Sequence, residues 1–205
     1  MDLSHPGVEI IGEAEANVLR SLSRLAEPAS GRQLALLSGA ETHSTVNRYL
    51  KKLRQIGLVH ATDTPSAILY RLNRDHVFWP PLETIIGARE AIDDEIAQLV
   101  QTELGESARV AAFGSVANRS STLDSDYDLL LIVDDRVSAE DRVRVADKIA
   151  SLVERRAGNP AQVIDVSESE LRDLNAHESS LVGAWRESAQ PLDGRGRLTQ
   201  LGAAS

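Results

Sequence analysis

The segment Phe113–Val133, FGSVANRSSTLDSDYDLLLIV, restricts what this chain can fold into more than any other stretch. It ends in the apolar run Leu129–Val133 and opens, directly after an earlier apolar run, on the small-residue turn Gly114-Ser115. Ten residues separate Ser115 from Asp126, and Asp126 and Asp128 stand at the mouth of the later run. If Asp126 to Val133 is a strand, its side chains alternate, so the two carboxylates project from one side with backbones roughly 6.5–7 Å apart. Flexible carboxylates at that spacing can converge on a shared divalent cation, and the hard-oxygen donor set suits Mg²⁺. The glycine turn lets backbone N–H groups approach a phosphate, especially where a helix starts.

At 205 residues the chain exceeds a typical domain of ~100–200 residues, which favours two domains, expected at 1–78 and 79–205. Hydrophobic residues make up 42% of the chain, enough for real cores. The absence of cysteine excludes disulfides and thiolate-held zinc or iron–sulfur sites. No apolar segment approaches the ~20 residues that cross a bilayer, and the acidic start MDLSHPGVEIIGE lacks the basic region of a signal peptide, so a soluble cytoplasmic protein without membrane contact is expected. The net charge of −9 is unevenly spread: residues 1–78 hold 9 basic and 8 acidic side chains, residues 79–205 hold 13 and 23. That asymmetry predicts different partners for the two parts. Phosphate handling in the acidic part requires neutralising cations.

In the first part, apolar spacing predicts helices over 13–25, 32–38 and 43–56, then two short strands over 58–62 and 68–72 joined by the turn Asp63-Thr64-Pro65-Ser66. Val46, Leu50, Leu53 and Ile56 give the third helix a buried face, and the opposite face carries Ser44, Thr45, Asn47, Arg48, Lys51, Lys52 and Arg54. Three helices followed by a hairpin, with the phrase STVNRYLKKLRQIGLV, resemble the winged helix-turn-helix of bacterial MarR-like and ArsR-like regulators. That resemblance implies double-stranded DNA as a partner, with Arg48, Lys51, Lys52 and Arg54 at phosphates and Ser44, Thr45 and Asn47 near base edges. It also implies a homodimer, since such modules read DNA in pairs. A basic solvated face occurs on many helices, however, and winged helices also serve as interaction modules.

Asn73–Pro81 reads as a linker closed by Trp79-Pro80-Pro81, and Leu82–Leu104 as one long helix whose run Asp93-Asp94-Glu95 belongs to a solvated face. Beyond it come a strand over 109–113, the glycine turn, a strand from Tyr127 to Val133, a helix capped by Ser138 and stopped at Gly158-Asn159-Pro160, a strand over 161–167, and helices over 168–175 and 178–189. The third of these strands, AQVIDVS, holds one residue that breaks its apolar pattern, Asp165. A carboxylate in a buried strand is costly unless it is ion-paired or metal-bound. The whole reads as α+β: an N-terminal winged helix-turn-helix and a C-terminal α/β domain with a small mixed sheet.

The succession of strand, Gly114-Ser115, ten residues, Asp126-Tyr127-Asp128, apolar strand, helix and a further strand with Asp165 resembles the minimal nucleotidyltransferases of the DNA-polymerase-beta-like superfamily. The resemblance spans about residues 82–192 and implies an enzyme that moves an NMP group from an NTP such as ATP to a hydroxyl on a protein, RNA or small molecule. It implies that Gly114 and Ser115 hold the triphosphate, that Asp126 and Asp128 hold two Mg²⁺ ions, and that Asp165 completes the catalytic set at the metal near the incoming hydroxyl. Protein or RNA acceptors would suit a toxin–antitoxin or autoregulated system, and the acids Glu168, Glu170, Asp173 and Glu178 keep a drug-like small molecule among the acceptors. The alternative is a DNA-binding regulator that senses nucleotide without turnover. These enzymes commonly follow the turn with Ala-Arg-Gly, whereas this chain has Ala117-Asn118-Arg119. Tyr127 is expected to pack away from the acids. The five histidines, His5, His43, His60, His76 and His177, show no ligand spacing.

Overall fold

The computed structural model describes residues 1–39, 43–176, 182, 183, 185 and 188–194. Two compact units emerge, one of residues 1–4 with 89–205 and the other of residues 5–88. The expected helix over 178–189 falls largely outside the described residues.

In the unit of residues 5–88, a short helix α1 (Val8–Ile11) precedes α2 (Glu13–Arg24), α3 (Gly31–Leu37) and α4 (His43–Gln55). Ser30 starts α3 with a capping box, its Oγ accepting from the Gln33 N–H while the Gln33 side chain accepts from the Ser30 N–H, which satisfies two orphan donors together. The hairpin β2 (Val59–Asp63) and β3 (Ile68–Leu72) pairs antiparallel, and a short strand β1 (Ala29–Ser30), absent from the sequence reading, joins it on the other side of β3. Val18, Leu19, Leu22, Leu34, Val46, Leu50, Leu53 and Tyr70 form the core. Three helices and a three-stranded sheet in this order are compatible with a winged helix.

Trp79-Pro80-Pro81, expected to be a rigid stop, instead opens a helix, α5 (Trp79–Ile86). Proline is tolerated in a first turn because its missing N–H has no partner there, and Trp79 is buried in the core just described. The expected single helix over 82–104 is therefore two. Gly87 closes α5 with its N–H on Glu83 O, and a Cβ there would come within 3.0 Å of that oxygen; α6 (Ala88–Leu104) then begins. Each helix sends its apolar stripe to a different core, Ile86 to one and Ile92, Ile96 and Val100 to the other.

In the unit of residues 1–4 and 89–205, a four-stranded mixed sheet runs β6-β5-β4-β7. Here β4 is Ala108–Ala112, β5 Tyr127–Val133, β6 Ala161–Ser167 and β7 Gln190–Pro191; β5 and β6 are parallel, joined through α8 (Ala139–Ala157), and the other pairs are antiparallel. The central strand β5 is covered on both sides, which explains its unbroken apolar run. Tyr127, Leu129, Leu131 and Val133 pack with Ile92, Ile96 and Val100 of α6 and Val145, Ile149 and Val153 of α8. Leu130 and Ile132 pack oppositely with Val166, Val182 and Trp185. Ser138 caps α8 by accepting from the Asp141 N–H, as its sequence predicts. A four-residue helix α7 (Gly114–Ala117) follows β4, and α9 (Glu168–Ala176) follows β6.

Candidate active site

Strand β5 delivers Asp126 and Asp128 to one end of the sheet, and β4 delivers the glycine turn beside them. The Phe113 N–H donates to Asp128 O at 3.0 Å, so the last peptide before Gly114 is fastened to the backbone of the second aspartate. Gly114 has φ 66, a left-handed conformation that side chains resist. A Cβ at Gly114 would overlap Asp128 Oδ2, with Asp128 Cγ at 3.0 Å and its Cβ at 3.2 Å. Glycine is thus required for two reasons, backbone angle and space. The structure brings Gly114, Ser115, Asp126 and Asp128 to one place.

Asp126 is exposed and Asp128 half-buried. Burial raises the Asp128 pKa, and the Asp126 charge raises it further. Two carboxylates repelling each other in this way form a donor set that a hard divalent cation would relieve. In that respect the pair fits Mg²⁺.

Asp165 does not join them. In the parallel register Asp165 stands opposite Leu131 and Asp128 opposite Gln162. Asp165 is therefore three residues further along, about 10 Å, and on the other face of the sheet. Of the two ways to stabilise a carboxylate in this strand, the chain uses the ion pair: Arg142 of α8 donates from Nε to Asp165 Oδ2 at 2.6 Å and from Nη2 to Glu170 Oε2 at 2.8 Å. The expected convergence of Asp165 with Asp126 and Asp128 is not seen, because strand register separates the third acid and an arginine already neutralises it. Among the described residues no three His, Asp or Glu side chains gather as a metal site. The neighbour of Asp128 across the strands is a neutral amide, Gln162.

The loop carrying Asp126 is held from behind. Asn159, 2% exposed, donates to Leu123 O and Ser125 O, and the Tyr127 N–H donates to Pro160 O at 2.8 Å. Ser121 is bound by Ser4 and Asp2, its N–H donating to Ser4 Oγ at 3.0 Å and its hydroxyl to Asp2 Oδ1 at 3.0 Å. Sequence reading gave Asn159 only a part in a helix stop. Arg119, just past α7, has φ 56, and among the described residues it alone is left-handed without being glycine. It stands at the position where the resembling enzymes carry glycine.

Tyr127 packs away from the acids as expected, fully buried, and its hydroxyl donates to the Asp93 carboxylate. Burial raises the Tyr127 pKa, with the Asp93 charge adding to it, so the phenol stays a donor. Asp93 itself, expected on a solvated face, is only 16% exposed and sits 3.2 Å from Arg89 Nε. Burial raises its pKa against the opposing pull of Tyr127 and Arg89. The one signal for this pair in the sequence is the i,i+4 spacing of Arg89 and Asp93.

On α4, Ser44, Arg48, Lys51, Lys52 and Arg54 are exposed. Arg54 Nη2 lies 3.6 Å from Asp63 Oδ2 of the hairpin. Thr45 and Asn47 are half-buried. Asn47 Nδ2 lies 3.2 Å from His43 Nδ1, and its Oδ1 fills the space a Cβ on Gly31 would need, so this amide serves the α3–α4 contact.

Residues 93–179 match the nucleotidyltransferase domain family, a stretch that contains the glycine turn and the paired aspartates. No curated protein matches the chain. The crystal structure of a toxin–antitoxin with AMP-PNP is similar at 20% identity, over 49% of this chain and 71% of that one, with a TM-score of 0.36. The archaeal chromatin protein TrmBL2, described with a novel mode of DNA binding, is similar at 18% identity over 85% of this chain and 72% of that one, with a TM-score of 0.28. Among the described residues no helix is long and apolar enough to cross a membrane.

Proposed function

We propose that this chain binds an NTP with Mg²⁺ at Gly114, Ser115, Asp126 and Asp128 and transfers its NMP group to a hydroxyl acceptor on a protein, RNA or small molecule, with pyrophosphate leaving and the hydroxyl proton passing to solvent. The observation that carries the reading is the fit between Gly114 and Asp128, which leaves room for a phosphate-binding backbone and a carboxylate pair but for no side chain between them. Mg²⁺ held by Asp126 and Asp128 supplies neutralisation of phosphate charge. The residues themselves do the rest. The first N–H groups of a helical turn have no partner within it, so those of α7 meet the phosphates. Asn159 and Ser121 keep the Asp126 loop in place. With Asp165 committed to Arg142, catalysis rests on the aspartate pair.

That same commitment favours one second reading, a nucleotide-responsive regulator that binds NTP without turnover. Both readings give the unit of residues 5–88 a DNA-binding role through exposed Arg48, Lys51 and Lys52. Neutralising Lys51 would then lower the salt slope of duplex binding by about 1. A salt-insensitive interaction would remove DNA from both readings.

Incubation with α-³²P-labelled ATP, GTP, CTP or UTP, Mg²⁺ and cell extract tests the enzyme directly. Transfer of label that disappears in Asp126→Ala and Asp128→Ala is expected. Nucleotide binding without transfer would select the regulator, and neither binding nor transfer would refute the site.

A further inference from the structure

The residues that meet behind the site form one continuous polar clamp. Arg89 of α6 donates from Nη1 to Val116 O at 3.1 Å and from Nη2 to Gln190 Oε1 at 3.3 Å. Gln190 of β7 in turn donates from Nε2 to Ala117 O at 2.7 Å. Both carbonyls belong to the last residues of α7, and Val116 O accepts from the Arg119 N–H as well, at 3.2 Å. The Arg89 guanidinium also pairs with Asp93 one turn later, and Asp93 accepts the Tyr127 hydroxyl from between the two site aspartates. One end of the clamp therefore grips the glycine helix and the other grips β5 where the carboxylates emerge. Arg89 and Asp93 side chains are 11% and 16% exposed, so water does not compete freely for these contacts.

Resting on the nucleotide-binding reading of the site, we propose that Arg89 and Asp93 are a positioning pair that sets the separation between the Gly114–Ala117 turn and the Asp126/Asp128 carboxylates. Neither touches the nucleotide. Gly114 and Asp128 are already at contact, so a shift of α7 against β5 by a fraction of an ångström closes or opens the phosphate gap. Arg89 restrains that shift because its side chain links both parts, directly through Val116 O and through Asp93 to Tyr127.

The test measures equilibrium binding of ATP, GTP, CTP and UTP, each with Mg²⁺, to the full chain well below its unfolding temperature. Wild type is compared with Arg89→Met, Arg89→Lys and Tyr127→Phe, and with Val145→Ala, a core change in α8 that destabilises the same unit without removing a hydrogen bond of the clamp. Loss of the clamp weakens the best-bound NTP about tenfold in Arg89→Met and Tyr127→Phe, the worth of a buried charge-assisted hydrogen bond. Arg89→Lys keeps the pair with Asp93 and recovers part of the loss, whereas Val145→Ala lowers stability and leaves affinity unchanged. Folded Arg89→Met and Tyr127→Phe proteins that bind within twofold of wild type overturn the positioning role alone. Wild type that binds none of the four overturns the reading of the site and this proposal together.

Discussion

Replacing Gly114 by alanine tests the centre of the site, and its cost separates into two parts. The left-handed conformation at φ 66 costs a non-glycine residue about 1–2 kcal/mol. The new methyl group also meets the Asp128 carboxylate, and pushing that side chain off its rotamer costs about 0.5–1.5 kcal/mol more. We predict that Gly114→Ala lowers unfolding free energy by about 2–3 kcal/mol in urea denaturation. Gly158→Ala is the matched control: Gly158 has φ 74, but no atom lies within 4 Å of a Cβ built there. It bears only the conformational cost, about 1–2 kcal/mol, and leaves nucleotide binding intact. The clash predicts more than a difference between the two variants. In the Asp128→Ala background Gly114→Ala should cost less by about 1 kcal/mol, because the obstructing oxygens are gone. Displacement of Asp128 should also weaken Mg²⁺-dependent NTP binding at least about tenfold, measured by calorimetry. Equal costs for Gly114→Ala and Gly158→Ala, with additivity in the double variant, would refute the contact between the turn and the second aspartate.

Three further outcomes follow from other parts of the molecule. Arg119→Gly relieves a left-handed non-glycine residue and should raise stability by about 1 kcal/mol, read as a higher urea midpoint at unchanged slope. Asp165→Asn leaves Arg142 in a partly buried position with a weakened partner, so stability falls by about 1–3 kcal/mol while NTP affinity is unchanged; a large affinity loss would restore Asp165 to the metal site. Burial, with the Glu15 charge second, pushes the Tyr49 pKa up to about 12 from 10.0. The unfolded chain then loses this proton first, so Tyr49 adds a decline in stability from pH 10 to pH 12 that Tyr49→Phe removes, measured as the difference between the two pH profiles.

Much of the architecture was legible from periodicity. Strands β5 and β6 span the residues expected of them, 127–133 and 161–167, and helices α2 to α4 fall within a residue or two of their stripes. The misreadings each have a cause. Trp79-Pro80-Pro81 looks like a stop because proline is read as a breaker, yet in a first turn proline breaks no bond. One stripe over 82–104 conceals two helices because the pattern does not record that Ile86 and Ile92 enter separate cores. Asp93 looked solvated among its acidic neighbours, and only its partners Arg89 and Tyr127 distinguish it from Asp94.

For the candidate site, the sequence by itself determined the local part. Alternation along one strand is enough to place Asp126 and Asp128 on the same side, and the small residues Gly114-Ser115 announce a close backbone approach, since both depend on neighbours in the chain. Only the tertiary structure decided what stands beside them. Whether Asp165 or Gln162 faces Asp128 depends on the register between two strands and on which face each residue occupies, and a strand's own sequence encodes neither. The same holds for the clamp: Arg89, Asp93, Tyr127 and Gln190 come from three separate segments, and apart from the i,i+4 spacing of Arg89 and Asp93 nothing along the chain records the role their burial together gives them.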